Sequence, residues 1–478
     1  MNKKFYITTA IDYVNASPHL GHALEKIQAD VIARYFRNFK REVLFLTGTD
    51  ENSLKNVRAA ENEGISTQEL VNRNAQRFYQ LKEALNLSFD DFIRTTESRH
   101  TKGAQKLWLA CKKDIYKKTY RGLYCVGCEE YYREEELVNG LCPEHKTKPE
   151  LVQEENYFFR LSKYQNQLIK IIEKDKIKII PETRKTEILT FIQRGLEDIC
   201  ISRSTERARG WGIDVPGDPS QKIWVWFDAL SNYINAVGYG VNQRKFKKWW
   251  PADVHVIGKG ISRFHCIYWP AILISAKLPL PKAIFIHGYV TVGGQKMSKS
   301  LGNIVDPFEL VKKYGTDAVR YFLLRESSPF EDVDFTLEKF KKRYNSDLAA
   351  GLGNLTARVI TLAQRSKILP FSEKKLKKKD FKIKMAIEKT LRKYKKAMEE
   401  FKFNEVLSSV WELVSFCDVY IQEKRPWEKK KEQKELMENL LFFLSQIAKL
   451  LEPFLHQTAE KIKKQIEGKK IEHLFPKI

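Results

Sequence analysis

The sequence predicts an α/β protein: a Rossmann-type parallel sheet split by a cysteine-bearing insertion and followed by an α-helical bundle. Three observations predict it. Two separated blocks, 4–50 and 222–292, alternate short apolar runs with helical periodicity, the pattern of strands joined by crossover helices. Cys125, Cys128, Cys142 and His145 cluster between those blocks. From about residue 326 the strand-like runs stop and lysine-rich helical spacing takes over. The 478 residues, 43% hydrophobic and 12% aromatic, suffice for several cores and suggest about three domains.

Element by element, residues 4–11 (KFYITTAI) read as a strand broken by the polar turn DYVNASP. A helix is predicted from near Pro18 through LGHALEKIQADVIARYFRNF, whose apolar positions recur at three and four. REVLFLTGTD reads as a second buried strand, followed by another helical stretch. In the second block KIWVWFDAL, DVHVIGKG and KAIFIHGYVTV read as strands. The predicted division is 1–96 with 223–325 for the sheet domain, 97–222 for the insertion, 326–355 for a stem, and 356–478 for the helical domain. No strand is expected after 326. Segments 373–384 and 428–434 read as solvated helix faces or loops, and ELMENLLFFLSQIAKLLEPF as bundle packing.

Composition narrows the class. No apolar run reaches the roughly 20 residues of a membrane helix. Asp12, Asn15 and Pro18 interrupt the N-terminal apolar stretch too early for a signal peptide, so the expected location is the cytoplasm. The formal charge of +24, from 84 Lys+Arg against 60 Asp+Glu, favours a polyanionic partner through counterion release. Solvated surface lysines account for it equally well. Seven cysteines in so long a chain argue for reduced thiols rather than a disulfide framework.

Two motifs carry chemistry. His19-Leu20-Gly21-His22 falls at the predicted start of a helix, where unpaired N–H groups and the dipole favour phosphate. The histidines are three apart and share a face, and Gly21 leaves room for a nucleotide. Alone, the pair reads better as two surface histidines. Lys296-Met297-Ser298-Lys299-Ser300 follows a flexible VGGQ turn and precedes the helix DPFELVKKY, with Asp306 as its N-cap. Its lysines can neutralise charge on a departing diphosphate, although the string alone is also a basic surface loop.

In this order and on these elements, the pair resembles the HIGH and KMSKS signatures of the class I aminoacyl-tRNA synthetases. The resemblance implies that His19 and His22 stabilise the α-phosphate of ATP while Lys296 and Lys299 handle the diphosphate. His19, Gly21, His22, Lys296, Met297, Ser298 and Lys299 would bind ATP with its Mg2+. No covalent catalyst is implied, only positioning and electrostatics.

Within that class the chain resembles the methionine enzymes over essentially its whole length. Matching positions imply a methionine pocket of Ile11, Tyr13, Asp50, Trp226, Ala229, Leu230, Tyr233, Ile261 and His265. Asp50 would take the ammonium group; its alternative is an N-cap for the next helix. An aromatic and aliphatic wall suits a flexible thioether, although core packing is the simpler reading of Trp226 and Ile261. Two departures stand out: Gly260 where these enzymes often carry Asp, and Asn52-Ser53 in place of the common His-Gly.

Cys125-x-x-Cys128 and Cys142-x-x-His145, separated by 13 residues, have the spacing of one tetrahedral structural zinc site. Reduced thiols or a redox pair are the alternatives. The segment resembles the single-knuckle zinc insertion of the methionine enzymes and is too short for the editing domain of their isoleucine, leucine and valine relatives. Arg203, in a DISR stretch similar to the family's, reads either as an organiser of the site or as a buried salt bridge. Asn354, Arg358, Pro426 and Trp427 match the positions that read the CAU anticodon of tRNA(Met). Taken alone, the same residues are a surface pair and a helix stop. The expected partners are methionine, ATP and tRNA(Met), with no membrane, and the expected state is a monomer. Two rivals remain at this point: a relative that delivers an aminoacyl adenylate to a small amine or thiol, and an RNA-binding protein that has lost catalysis.

Overall fold

The computed structural model describes residues 4–127, 130–144, 146–297, 302–376, 380–428, 433–469 and 472–478. The chain divides into two compact units, one of residues 1–18, 36–82 and 88–286, the other of 19–35, 83–87 and 287–478.

The first unit is built on a seven-stranded sheet. Its order is Asp12–Tyr13, Glu42–Asp50, Lys4–Thr9, Val254–Gly258, Ala283–His287 and Lys178–Ile180, with Asp91–Arg94 also pairing with Glu42–Asp50. Lys4–Thr9 runs parallel to both Glu42–Asp50 and Val254–Gly258. Buried on both faces, these strands read as continuous apolar runs, which is why the sequence reveals them. Phe5, Tyr6, Ile7, Phe45, Leu46, Val256 and Ile257 are all buried.

Residues 115–223 add two antiparallel sheets to the same unit, besides the strand Lys178–Ile180 of the main sheet. One joins Glu130–Tyr132, Ile115–Cys125, Glu150–Phe159 and Ile199–Cys200; the other joins Ser202–Ser204, Asp218–Ile223 and Ile213–Val215. Here the structure corrects the sequence reading. Lys222 and Ile223 end a strand of the smaller antiparallel sheet, Trp224 is the N-cap position, and the rest of KIWVWFDAL is the helix Val225–Leu230. Tertiary packing overrides the β-propensity of the Val-Trp-Phe run: Trp226 stacks on Phe264 at 3.6 Å, and Ala229 and Leu230 are buried.

The second unit is mainly helical. It contains most of Leu20–Asn38, then Pro307–Tyr314, Thr316–Arg325, Leu337–Arg343, Asn354–Arg365, Phe381–Glu399, Phe403–Lys424, Gln433–Leu451 and His456–Ile466. Contrary to expectation a short strand occurs beyond 326: Val333–Phe335 pairs in parallel with Val290–Val292. IFIHGYVTV is likewise two strands rather than one. The break falls at Gly288, where a Cβ would sit 2.0 Å from the Glu331 carbonyl oxygen. The VGGQ turn is a tight hairpin between Val290–Val292 and Gln295–Lys296, with Gly293 and Gly294 at φ 60° and 75°, the double positive φ that only glycine supplies cheaply. Asp306 caps Pro307–Tyr314 as expected, accepting from Phe308 N at 2.7 Å.

A buried ion pair anchors this unit. Arg320 donates to Asp30 at 2.8 Å and to the carbonyls of Leu85, Pro453 and Phe454 at 3.0, 3.1 and 2.7 Å, with both charged side chains fully buried. Among the described residues no helix is long and apolar enough to cross a membrane.

Candidate functional site

In the second unit His19 immediately precedes the helix Leu20–Asn38, and His22 lies in its first turn. Their rings stack with centroids 3.8 Å apart at 26°. His22 Nδ1 accepts from His19 N at 3.0 Å, and His19 Nδ1 accepts from Gly21 N at 3.1 Å. Leu20 N donates to Val305 O at 3.0 Å. The backbone donors at this helix start, which the sequence offers to phosphate, are therefore occupied within the protein. Burial, with a smaller contribution from Lys26, lowers His22 to about 3, so its ring is neutral at physiological pH.

The lysine loop reaches the same helix start. A Cβ on Gly21 would lie 2.9 Å from His19 Cε1 and 3.6 Å from Met297 Cε, so glycine fits where the imidazole and the loop close in. Lys296 is exposed, its ammonium 4.9 Å from the centre of the Tyr289 ring. Asn303 Nδ2 donates to Lys296 O at 3.2 Å, tying the two arms of the loop. Ser298 and Lys299 lie outside the described residues.

All nine residues of the expected methionine pocket fall in the first unit. Tyr13 and Asp50 are register partners in the parallel pair Asp12–Tyr13 with Glu42–Asp50, and the Lys55 ammonium lies 3.8 Å from the Tyr13 ring centre. Ser53, not Asp50, caps the next helix, accepting from Lys55 N, which removes the capping alternative for Asp50. Asn56 Nδ2 holds the carbonyls of Asp50 and Glu51 at 3.1 and 2.9 Å. Tyr233 OH meets His265 Nε2 at 2.7 Å, and His265 Nδ1 meets Ile261 O at 2.9 Å. Tyr6 OH donates to Tyr233 O at 2.7 Å. Ile11, Trp226 and Ile261 are partly buried against the core that contains Leu230 and Tyr233. Among the described residues the buried Trp226 indole N–H has no acceptor.

Phe264 joins this cluster although the sequence reading passed over it. Its signal was its place between Ile261 and His265. Trp226 and Phe264 also border a cavity of about 550 Å3 shared with Tyr116, Tyr131 and Arg203. Arg203 takes the salt-bridge role: it donates to Tyr131 OH at 2.7 Å and pairs with Glu154 at 3.3 Å, and its guanidinium lies 4.1 Å from the Tyr124 ring centre.

Of the four expected zinc ligands, Cys128 and His145 lie outside the described residues. Cys125 and Cys142 are both buried and neither is in a disulfide. Cys142 heads a tight turn in which Lys146 N donates to Cys142 O and Cys142 N to Thr147 O, each at 2.9 Å. The Cys125 thiol lies 3.9 Å from Thr147 Oγ1, against that turn. Cys125 and Cys142 thus both contact Thr147, and buried thiols are ligands of the kind a structural zinc takes.

In the second unit Arg358, on the helix Asn354–Arg365, lies with its guanidinium 5.5 Å from the Trp427 ring centre and 4.0 Å from Asp418. Asn354 begins the same helix and is exposed. Phe403–Lys424 ends at Arg425, in the left-handed region at φ 42°, just before Pro426 and Trp427. Trp427 is 47% exposed, an open aromatic face beside a cation.

The chain is similar to known proteins over most of its length. Residues 5–148 and 136–360 match the family tRNA synthetases class I (M), and residues 380–477 match the anticodon-binding domain of tRNA ligase. The chain is 42% identical to the methionine–tRNA ligase of Thermotoga maritima, over 97% of this chain and 75% of that protein. It is 42% identical to that of Brucella suis, over 96% and 91%. It is similar to the solved Mycobacterium tuberculosis methionyl-tRNA synthetase in complex with methionyl-adenylate, with a TM-score of 0.90 at 38% identity over 96% of this chain and 93% of that one.

Proposed function

The chain belongs to the class I tRNA synthetases of the methionine type, and from that premise we propose that it activates methionine with ATP and transfers it to the 3′ end of tRNA(Met). The methionine carboxylate attacks the α-phosphorus of ATP in line, forming methionyl-adenylate and releasing diphosphate. A hydroxyl of the terminal tRNA ribose then attacks the acyl carbon, and AMP leaves.

Asp50 binds the substrate ammonium, while Ile11, Tyr13, Trp226, Ala229, Leu230, Tyr233, Ile261 and His265 wall the thioether chain. His19 and His22 donate to oxygens of the α-phosphate as charge builds. Lys296 and Lys299 neutralise the departing diphosphate, with Gly21, Met297 and Ser298 completing the nucleotide contacts. ATP arrives with Mg2+. Such donors act in the transition state without reorganising, the usual source of rate in phosphoryl chemistry. Cys125, Cys128, Cys142 and His145 would hold a structural zinc, whose four ligands leave no position for substrate. Asn354, Arg358, Pro426 and Trp427 read the anticodon, stacking and hydrogen-bonding unpaired bases. The division into sheet domain, insertion, stem and helical domain, a cytoplasmic setting and a monomeric state belong to the same proposal.

The observation that carries this reading is the meeting of Gly21, His19 and Met297 at one helix start. The test is ATP–diphosphate exchange with each amino acid, followed by charging of tRNA(Met). Exchange that depends on methionine, together with methionylated tRNA, is expected. Exchange strongest with another amino acid, or adenylate formed without charging, would contradict it.

A further inference from the structure

We propose that Asp228 is a positioning residue for methionine, a buried clamp that fixes the helix carrying Trp226, Ala229 and Leu230 against the segment carrying Asp50. The proposal rests on the reading of the methionine pocket given above. Asp228 is 1% exposed and both its oxygens are engaged. Oδ2 accepts from Asn52 Nδ2 at 2.9 Å, and Oδ1 lies 2.6 Å from His100 Nε2. A buried carboxylate is tolerated only when paired and hydrogen-bonded, so this arrangement admits little play.

Each partner is itself held. Asn52 Nδ2 also donates to Thr95 O at 3.2 Å, and Glu51 N donates to Thr95 Oγ1 at 2.8 Å, fixing the chain after Asp50 against the end of strand Asp91–Arg94. Glu51 is locked from its other side by Arg94 at 2.6 Å and by Thr49 Oγ1 at 2.8 Å. His100 stands on the helix Ser98–Ala110, where Asn235 Nδ2 donates to its carbonyl at 3.2 Å. With Asn235 Nδ2 also 3.4 Å from His100 Nδ1, the tautomer that satisfies both ends carries its proton on Nε2, aimed at Asp228. On the far side, Ser231 Oγ donates to Asp228 O at 2.7 Å and Asn232 Nδ2 to Ala229 O at 2.7 Å. Three segments remote in sequence therefore converge on one carboxylate. The segments it joins carry four of the nine pocket residues: Asp50, Trp226, Ala229 and Leu230.

The clamp assigns a role to Asn52, whose amide supplies the donor to Asp228. An amide and an imidazole both present an N–H donor, so either can hold Asp228, whereas an apolar side chain cannot. Because the clamp orients groups that bind ground-state methionine, its loss falls on KM for methionine rather than on KM for ATP.

The experiment measures methionine-dependent ATP–diphosphate exchange and thermal unfolding on the full chain for wild type, Asn52→Leu, Asp228→Asn and Asn52→His. Asn52→Leu and Asp228→Asn are expected to raise KM for methionine about tenfold or more, as expected for losing a hydrogen bond to a charged group, while KM for ATP stays within about twofold. Asn52→His is expected to restore KM for methionine to near the wild-type value. An unchanged methionine KM in both disruptive variants, or an equal rise in both KM values, would overturn the clamp. Wild-type chain that gives no exchange with methionine would overturn the pocket reading itself, and the clamp with it.

Discussion

The His19 and His22 rings are stacked at 3.8 Å, and each turns Nδ1 toward a backbone N–H. In a neutral imidazole only one nitrogen carries the proton, so a ring whose Nδ1 accepts from a backbone N–H carries that proton on Nε2. A neutral donor fixed in this way, as at His22, is suited to oxygens that gain charge in a transition state, because it does not bind the ground-state anion as tightly as a cation would.

From this follows a pH behaviour. His22, lowered to about 3 mainly by burial, lies below the value of about 6.5 for an unfolded imidazole. The unfolded chain therefore binds the extra proton in that interval. The stability contributed by neutral His22 is complete above about pH 6.5 and is lost as pH falls toward the folded value. NMR titration of the free protein should show the His22 ring neutral throughout pH 5–8. A midpoint near 6.5 would contradict this. Replacement by alanine should lower kcat for exchange by about 10²–10³, with KM for methionine unchanged.

Arg320 and Asp30 form a buried pair that bridges the chain from residue 30 to the carbonyls of 453 and 454. Removing one partner strands a buried charge, so Arg320→Met should cost about 3–5 kcal/mol, read as a lower urea midpoint. Arg73→Met, which removes a surface pair with Glu63, should leave the midpoint nearly unchanged.

Trp427 offers an open ring beside the Arg358 guanidinium. A base stacked on it is worth about 1–3 kcal/mol, so Trp427→Ala should weaken tRNA(Met) charging by about fivefold to a hundredfold. Methionine-dependent exchange should be untouched. Equal loss in both assays would remove the ring from RNA recognition.

The proposed pocket selects methionine largely by apolar fit. Such a pocket separates ligands differing by one methylene by only about 1–3 kcal/mol. Homocysteine and norleucine should therefore be activated measurably, within a few hundredfold of methionine in kcat/KM. Undetectable homocysteine activation at high concentration would point to a sieve that the residues named here do not supply.

The sequence made some features legible and hid others for physical reasons. Lys4–Thr9 and Glu42–Asp50 are buried on both faces, so their apolar runs showed. Asp306-Pro307 announced a helix start because capping is local chemistry. Val225–Leu230 was misread because valine, tryptophan and phenylalanine favour strands. The better signal was the spacing of Trp226, Ala229, Leu230 and Tyr233 at i, i+3, i+4 and i+7, which marks a helix face. The strand Val333–Phe335 is three residues long and is held by a partner 43 residues away at Val290–Val292, so nothing local reveals it. The Asn52–Asp228–His100 cluster was invisible for the same reason: its members are 48 and 128 residues from one another along the chain.

The most direct test of the central claim is a crystal structure of this chain with a nonhydrolysable ATP analogue. Phosphate oxygens are expected within about 3 Å of His19 or His22 Nε2, with the Lys296 ammonium turned onto the same polyphosphate. A nucleotide seated away from the histidines, or Lys296 directed away from the phosphates, would contradict it.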